Sequence, residues 1–155
     1  MASELAFEAP VAVMSPVVYA SWGQRFGARL LDGTLVWGSV FGAATAVALA
    51  VDDAASGIAL FALLALLAPL YYAFFHAGVR GQTLGNRAIG IAVRNAKTLD
   101  RISLGRALAR AYVVAFLWWM VWTTIPLILD YLWPLWDAKH QAWHDKVAAS
   151  VVVRV

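Results

Sequence analysis

The stretch RFGARLLDGTLVWGSVFGAATAVALAV, from Arg25 to Val51, decides the fold class that this sequence predicts. At 1.5 Å per residue, a helix over this range is long enough to cross a bilayer core of about 30 Å. Its first turns nevertheless carry Arg25, Arg29 and Asp32. A carboxylate at membrane depth costs roughly 2.5–3.5 kcal/mol, so we expect Asp32 to have a partner or a function.

The composition agrees with a membrane protein. Of the 155 residues, 63% are hydrophobic and only 14% are charged, whereas soluble domains have about 25% charged residues. The chain is therefore predicted to be integral to a lipid bilayer. The absence of cysteine excludes disulfides, thiolate metal sites and thiol nucleophiles. The net charge of +3 does not indicate nucleic-acid binding, because the basic residues cluster in one connection between helices.

The apolar runs predict an N-terminal tail followed by one membrane domain. The tail is residues 1–20 and the domain is residues 21–155, with spans at about 25–51, 58–78 and 107–124 and a short helix at about 126–136. The last region is ambiguous, because Pro126 and Pro134 interrupt it. It forms either one long, kinked span or a crossing followed by a half-helix that returns.

Charge distribution predicts which side of the membrane each connection occupies. Seven of the twelve Lys and Arg residues lie between Arg80 and Arg110, while the turn at residues 52–57 has none. By the positive-inside rule the connection and the N-terminus are cytoplasmic. AIGIAVR, residues 88–94, and AASVVVRV, residues 148–155, both resemble strands. Their pairing would place the C-terminus on the same side and favours the returning half-helix.

The predicted fold is therefore an all-α integral membrane protein with three transmembrane helices, the short helix and a small cytoplasmic strand-like element. The expected location is the cell membrane, which in bacteria is the inner membrane. A face of small residues on the first span is formed by Gly38, Gly42 and Ala46. Such a face allows close packing of helices, either within the chain or in an oligomer.

Two interpretations of Asp32 remain open from the sequence. Arg29, three residues earlier, could form a local ion pair with it. Alternatively, Asp32 faces the bundle interior and binds a proton or a cation. In HQAWHDK, residues 140–146, a zinc site of the HExxH type is not expected because Gln141 follows the first histidine. We expect Asp145 to cap a helix or pair with an arginine, with His144 orienting it. No nucleophile, cofactor or metal motif indicates an enzyme.

Three blocks in order resemble the RDD family of small multipass membrane proteins, named for one arginine and two aspartates. They are RFGARLLD at residues 25–32, GQTLGNRAIGIAVRNAKTLDRISLGRALAR at residues 81–110 and LWPLWDAKHQAWHDKVAASVVV at residues 132–153. Asn86 and Ser150 stand where the family commonly has a basic residue and Thr. The resemblance implies roles for Arg25, Asp32 and Asp145, with Asp137 as an alternative second aspartate, and for the loop residues Gln82, Gly85 and Arg87.

The family suggests two functions for this chain. Some members are associated with sodium–proton antiport. In that case Asp32 would exchange a proton for a monovalent cation, Arg25 or Arg29 would compete for it, and Asp145 with His144 would relay protons. Other members resemble subunits of larger membrane assemblies. The same charged side chains would then form a structural ion-pair network, and the partner would be a second copy or another membrane protein.

Overall fold

The computed structural model describes residues 16–119 and 124–155, so the expected tail lies largely outside the described residues. The protein is mostly helical, with six helices and two strands in the described ranges. The helices are α1 (Trp22–Val51), α2 (Ala54–Ala77), α3 (Leu84–Ile89), α4 (Leu104–Trp119), α5 (Thr124–Leu132) and α6 (Trp143–Val147); the strands are β1 (Ile91–Asn95) and β2 (Ser150–Arg154). A short 3-10 turn, Trp133–Leu135, follows α5.

Helices α1 and α2 form an antiparallel pair, and both are long and apolar enough to cross a membrane. α1 begins at Trp22, before the expected Arg25, because Ser21 makes a capping box with Gln24. Asp52 ends α1 in a left-handed conformation. The Asp53 carboxylate accepts hydrogen bonds from the backbone amides of Ala55 and Ser56 in the first turn of α2. This cap starts α2 at Ala54 instead of the expected residue 58.

The two long helices touch through a face other than the one the sequence predicts. Gly57 allows the contact, since an added Cβ would lie 2.6 Å from Cβ of Ala48. Gly38, Gly42 and Ala46 are instead exposed, and no described atom lies within 4 Å of a Cβ built on either glycine. The interpretation of this small-residue face as packing within the chain is therefore wrong.

Helices α4 and α5 return the chain to its starting end. The hydroxyl of Ser103 caps α4 by accepting a hydrogen bond from the amide of Arg106. At the other end of this region, the carbonyl of Tyr131 in α5 accepts a hydrogen bond from Trp22 Nε1 at 2.9 Å. The last turn of α5 thus lies beside the first turn of α1. The described parts of these helices, Leu104–Trp119 and Thr124–Leu132, are each shorter than a full crossing requires.

A small cap, defined as residues 78–103 and 137–155, covers this end of the helices. β1 and β2 pair antiparallel within it, with Val93 opposite Val152, where the sequence predicts two strands. Tyr19 bridges to Val153 on the other edge of β2, so the end of the predicted tail pairs with the sheet. The core between cap and helices contains Ile91, Val93, Ile102, Ala107 and Val152.

Candidate functional site

Asp145 is the centre of a buried charge cluster that joins three distant parts of the chain. Its carboxylate lies 2.6 Å from Arg25 Nη1 of α1 and 2.8 Å from Arg110 Nη2 of α4. The backbone amide of Ala142 donates to the same carboxylate at 3.1 Å, which fixes the first turn of α6. Asp145 has no exposed surface in the described structure. The expected pairing of Asp145 with an arginine is thus observed, with two arginines.

The charge state of Asp145 follows from these neighbours. Burial raises the pKa of its carboxyl, but the guanidiniums of Arg110 and Arg25 lower it by more, so the pKa lies well below its usual range. A carboxylate whose pKa is lowered on folding stabilises the folded state above its unfolded pKa of about 3.9. That stabilisation is lost only as the pH falls through the lower folded pKa.

His144 connects α5 to the same cluster. Its Nδ1 donates to Asp130 Oδ2 at 2.7 Å, and its backbone amide donates to Asp130 Oδ1 at 3.0 Å. Arg110 Nη2 lies 3.3 Å from the other ring nitrogen, which accepts in the neutral tautomer. We call Arg25, Arg110, Asp130, His144 and Asp145 the Asp145 network.

Asp32 is a second, separate buried carboxylate. It accepts hydrogen bonds from the hydroxyls of Tyr71 (2.9 Å) and Thr83 (2.6 Å) and from the amide of Gly85 (2.8 Å). Thr83 also caps α3 through the amide of Asn86. Asp32 therefore fastens the start of α3 to both α1 and α2.

The predicted local ion pair between Arg29 and Asp32 is wrong. Arg29 Nε donates instead to the hydroxyl of Tyr131 at 2.7 Å, and its guanidinium lies 4.9 Å from the ring centre of Tyr72. The physical reason is that three neutral donors already occupy the Asp32 carboxylate. Arg29 thereby holds α5 against α1.

The three predicted loop residues have different positions. Gly85 is required by close approach, because a Cβ there would overlap the carbonyl of Ala28 and the Asp32 carboxylate. Gln82 Nε2 donates to the carbonyl of Ile91 at 2.9 Å and so fixes the entry to β1. Arg87 is exposed.

Asp137 is not a member of the Asp145 network, which corrects the predicted grouping of these aspartates. It pairs with Lys146 at 2.6 Å and accepts the amides of Lys139 and Gln141. These contacts join the turn before α6 to Lys146 of that helix. His140 lies in the same turn, where its Nδ1 donates to the carbonyl of Pro134. His140 and His144 therefore do not lie one turn apart on a helix.

Sequence reasoning missed several partners in the site. It named neither Arg110 nor Asp130 as a member of a charge network, and it gave no role to Tyr71, Thr83 or Tyr131. A signal was present for two of these residues, because Arg110 and Asp130 are charged side chains inside apolar helices. Their partners depend on the return of α5, which periodicity alone does not specify.

Comparison with known proteins places this site in a family. The RDD family model matches residues 19–149. The chain belongs to the RDD family. The matched range contains both Asp32 and the whole Asp145 network, as well as the two long apolar helices, which together indicate a membrane protein. No curated protein and no solved structure matches the chain.

Proposed function

We propose that this RDD-family chain is a non-transporting assembly subunit of a membrane complex, in which buried charges fix the cap to the ends of the membrane helices. One observation carries the proposal: three protein donors hold the carboxylate of Asp32, and four hold that of Asp145. An exchangeable carboxylate has to release its partners in each transport cycle. Here, release would detach α3 or α6 from the membrane helices.

The length of α1 supports a structural role for these charges. Its 30 residues extend about 45 Å, whereas a bilayer core is about 30 Å thick. If the end of α1 near Val51 lies at the far membrane surface, the helix crosses the core in about 20 residues and reaches the near surface at Asp32. Asp32 and the Asp145 network would then lie at the near membrane surface, where Trp22 and Tyr131 suit the interface. At that level the cost of an intramembrane carboxylate is avoided.

The return of α5 supports a revised topology with two full crossings. Helices α1 and α2 would cross, while α4 and α5 would enter from the cap side and return as a re-entrant pair. Residues 18–20 and β1 both pair with β2, so the N-terminal segment, the basic connection and the C-terminus share one side. An even number of crossings is consistent with this arrangement. The positive-inside rule assigns that side to the cytoplasm.

Cysteine labelling tests this topology, because the chain has no native cysteine. An Ala54→Cys variant should react with an impermeant maleimide in intact cells, since Ala54 is exposed at the start of α2, next to the turn from α1. A cysteine added after Val155 should react only after the membrane is permeabilised. Labelling of the C-terminal cysteine in intact cells would contradict the two-crossing arrangement.

The exposed face of α1 supports assembly with another membrane helix. Open space beside Gly38 and Gly42 allows the backbone of a second helix to approach closely. A second copy of the chain is the simplest occupant. Gly42→Leu should then shift the protein to a smaller species in native gels, whereas Leu66→Ala, on the exposed surface of α2, should leave its size unchanged. An unchanged size for Gly42→Leu would argue against this face.

A transport assay tests the proposal as a whole. Wild type and Asp32→Asn are reconstituted in liposomes with a trapped pH dye, and sodium, potassium or lithium is added across a proton gradient. We expect no cation-dependent collapse of the gradient with either folded protein, although a sodium–proton ionophore collapses it in the same liposomes. Collapse by wild type and not by Asp32→Asn would establish Asp32 as a transport carboxylate and refute the proposal.

A further inference from the structure

A cavity of about 70 Å³ lies where α1, α2, α4 and α5 meet the cap. Its lining includes Arg25 and Arg29 of α1, His76 of α2 and Arg110 of α4. Arg110 and His76 are more than nine-tenths buried, at 7% and 5% exposure. Phe26, which also lines the cavity, is about half exposed, so the cavity adjoins the outer surface beside α1.

Several buried nitrogen atoms of these side chains lack a hydrogen-bond acceptor. Among the described residues, the buried side-chain atoms without a partner are Nε and Nη2 of Arg25, Nη1 of Arg110 and Nδ1 of His76. Guanidinium nitrogens can only donate. Asn86 Nδ2 approaches Nε2 of His76 at 3.4 Å, which makes His76 Nδ1 the protonated nitrogen. All four atoms are therefore donors on residues that line the same cavity.

The carboxylates beside the cavity do not offer a matching set of acceptors. Asp32 is held by its three donors, and both Asp130 oxygens accept from His144. A buried donor without an acceptor costs about 1–3 kcal/mol, and more when it is charged. An occupant rich in acceptors would remove that cost, whereas a metal cation would add to the positive charges.

The size of the cavity and the charges around it limit the chemical class of molecule that it can hold. The volume exceeds the roughly 10–15 Å³ that one water needs by this measure, so a group of several heavy atoms fits. The three guanidiniums that line the cavity are balanced by three carboxylates, those of Asp32 and Asp130 in its lining and that of Asp145 beside it. The cavity should therefore bind a ligand with one negative charge more readily than a ligand with several. Arginine pairs bind tetrahedral oxyanions through paired N–H groups.

We propose that this cavity binds one phosphate-class oxyanion through the free donors of Arg25, Arg110 and His76. The group is either free phosphate or the phosphodiester of an anionic lipid entering beside Phe26. This site is independent of the assembly role, because a ligand held at the junction of cap and helices is compatible with either function.

Thermal unfolding of the delipidated protein tests the site. Inorganic phosphate at constant ionic strength, phosphatidylglycerol and diacylglycerol are added separately. Stabilisation by phosphate identifies free anion as a ligand, and stabilisation by phosphatidylglycerol but neither by phosphate nor by diacylglycerol identifies a lipid headgroup. Absence of stabilisation by both phosphate and phosphatidylglycerol would overturn the proposal and leave a water-filled cavity.

Three variants test which side chains bind the oxyanion. Arg110→Lys keeps a cation beside Asp145 but removes Nη1, the guanidinium nitrogen that has no partner, and His76→Phe keeps a ring but removes its N–H. Each should weaken the apparent affinity for the stabilising probe by about tenfold. Arg106→Lys, an exposed change one turn away on α4, should leave the affinity unchanged. Wild-type affinity in His76→Phe, or in a folded Arg110→Lys, would overturn the assignment; if Arg110→Lys does not fold, His76→Phe decides.

Discussion

Asp145→Asn is expected to lower the free energy of unfolding by about 3–5 kcal/mol, because it leaves Arg25 and Arg110 buried without a counter-charge. In a chain of this size that loss corresponds to a melting temperature lower by roughly 10 °C. The measurement is thermal unfolding of the purified protein in one detergent, followed by intrinsic tryptophan fluorescence.

Two controls separate the network from general effects of charge. Asp137→Asn should cost about 1 kcal/mol or less, because Asp137 pairs with the partly exposed Lys146 and an asparagine can still accept the two amides. Exchanging the charges of Arg25 and Asp145 should not recover stability, since an arginine at 145 would face Arg110. Equal melting temperatures for Asp145→Asn and Asp137→Asn would contradict the structural role of the network.

Asp32→Ala is expected to produce the second large loss, of about 3 kcal/mol or more, because it removes the acceptor of three donors, of which those of Thr83 and Gly85 are buried. Asp32→Asn should lose less, since its side-chain oxygen can still accept from Tyr71 and Gly85. Thermal unfolding measures both, with Asp52→Asn in the exposed turn as the matched control. Wild-type stability of Asp32→Ala would show that Asp32 does not hold α3.

The proposed topology accounts for the carboxylate of Asp32 at the start of an apolar run. A helix of 30 residues is longer than the bilayer core, so its first ten residues can extend to the membrane surface. The sequence shows the charges and the apolar run but not the depth of either. The contacts of α3 and the cap with that part of α1 support the proposed position of these charges at the membrane surface.

Local patterns predicted much of the fold. Apolar length predicted α1 and α2, and two β-branched runs predicted the paired strands. Each of these signals lies within one segment. The expected bounds were less accurate, because Ser21 and Asp53 extend α1 and α2 beyond their apolar runs.

The site could be predicted only in part. The family resemblance named Arg25, Asp32 and Asp145 but not which of them are in contact. Arg25 meets Asp145 across 120 residues of sequence, while Arg29 and Asp32, three apart, bond to other partners. Spacing on a helix allowed an ion pair between Arg29 and Asp32 that does not form, because the cap and the return of α5 bring competing partners to both side chains.

The central claim is that the Asp145 network holds the cap on the membrane helices, and amide hydrogen exchange tests it most directly. Wild type and Asp145→Asn are compared in the same detergent at a temperature at which both remain folded. We predict exchange about a hundredfold faster in β1, β2 and α6 of the variant, with the middle of α2 unchanged. Unchanged protection of the cap, or an equal loss throughout the chain, would contradict the claim.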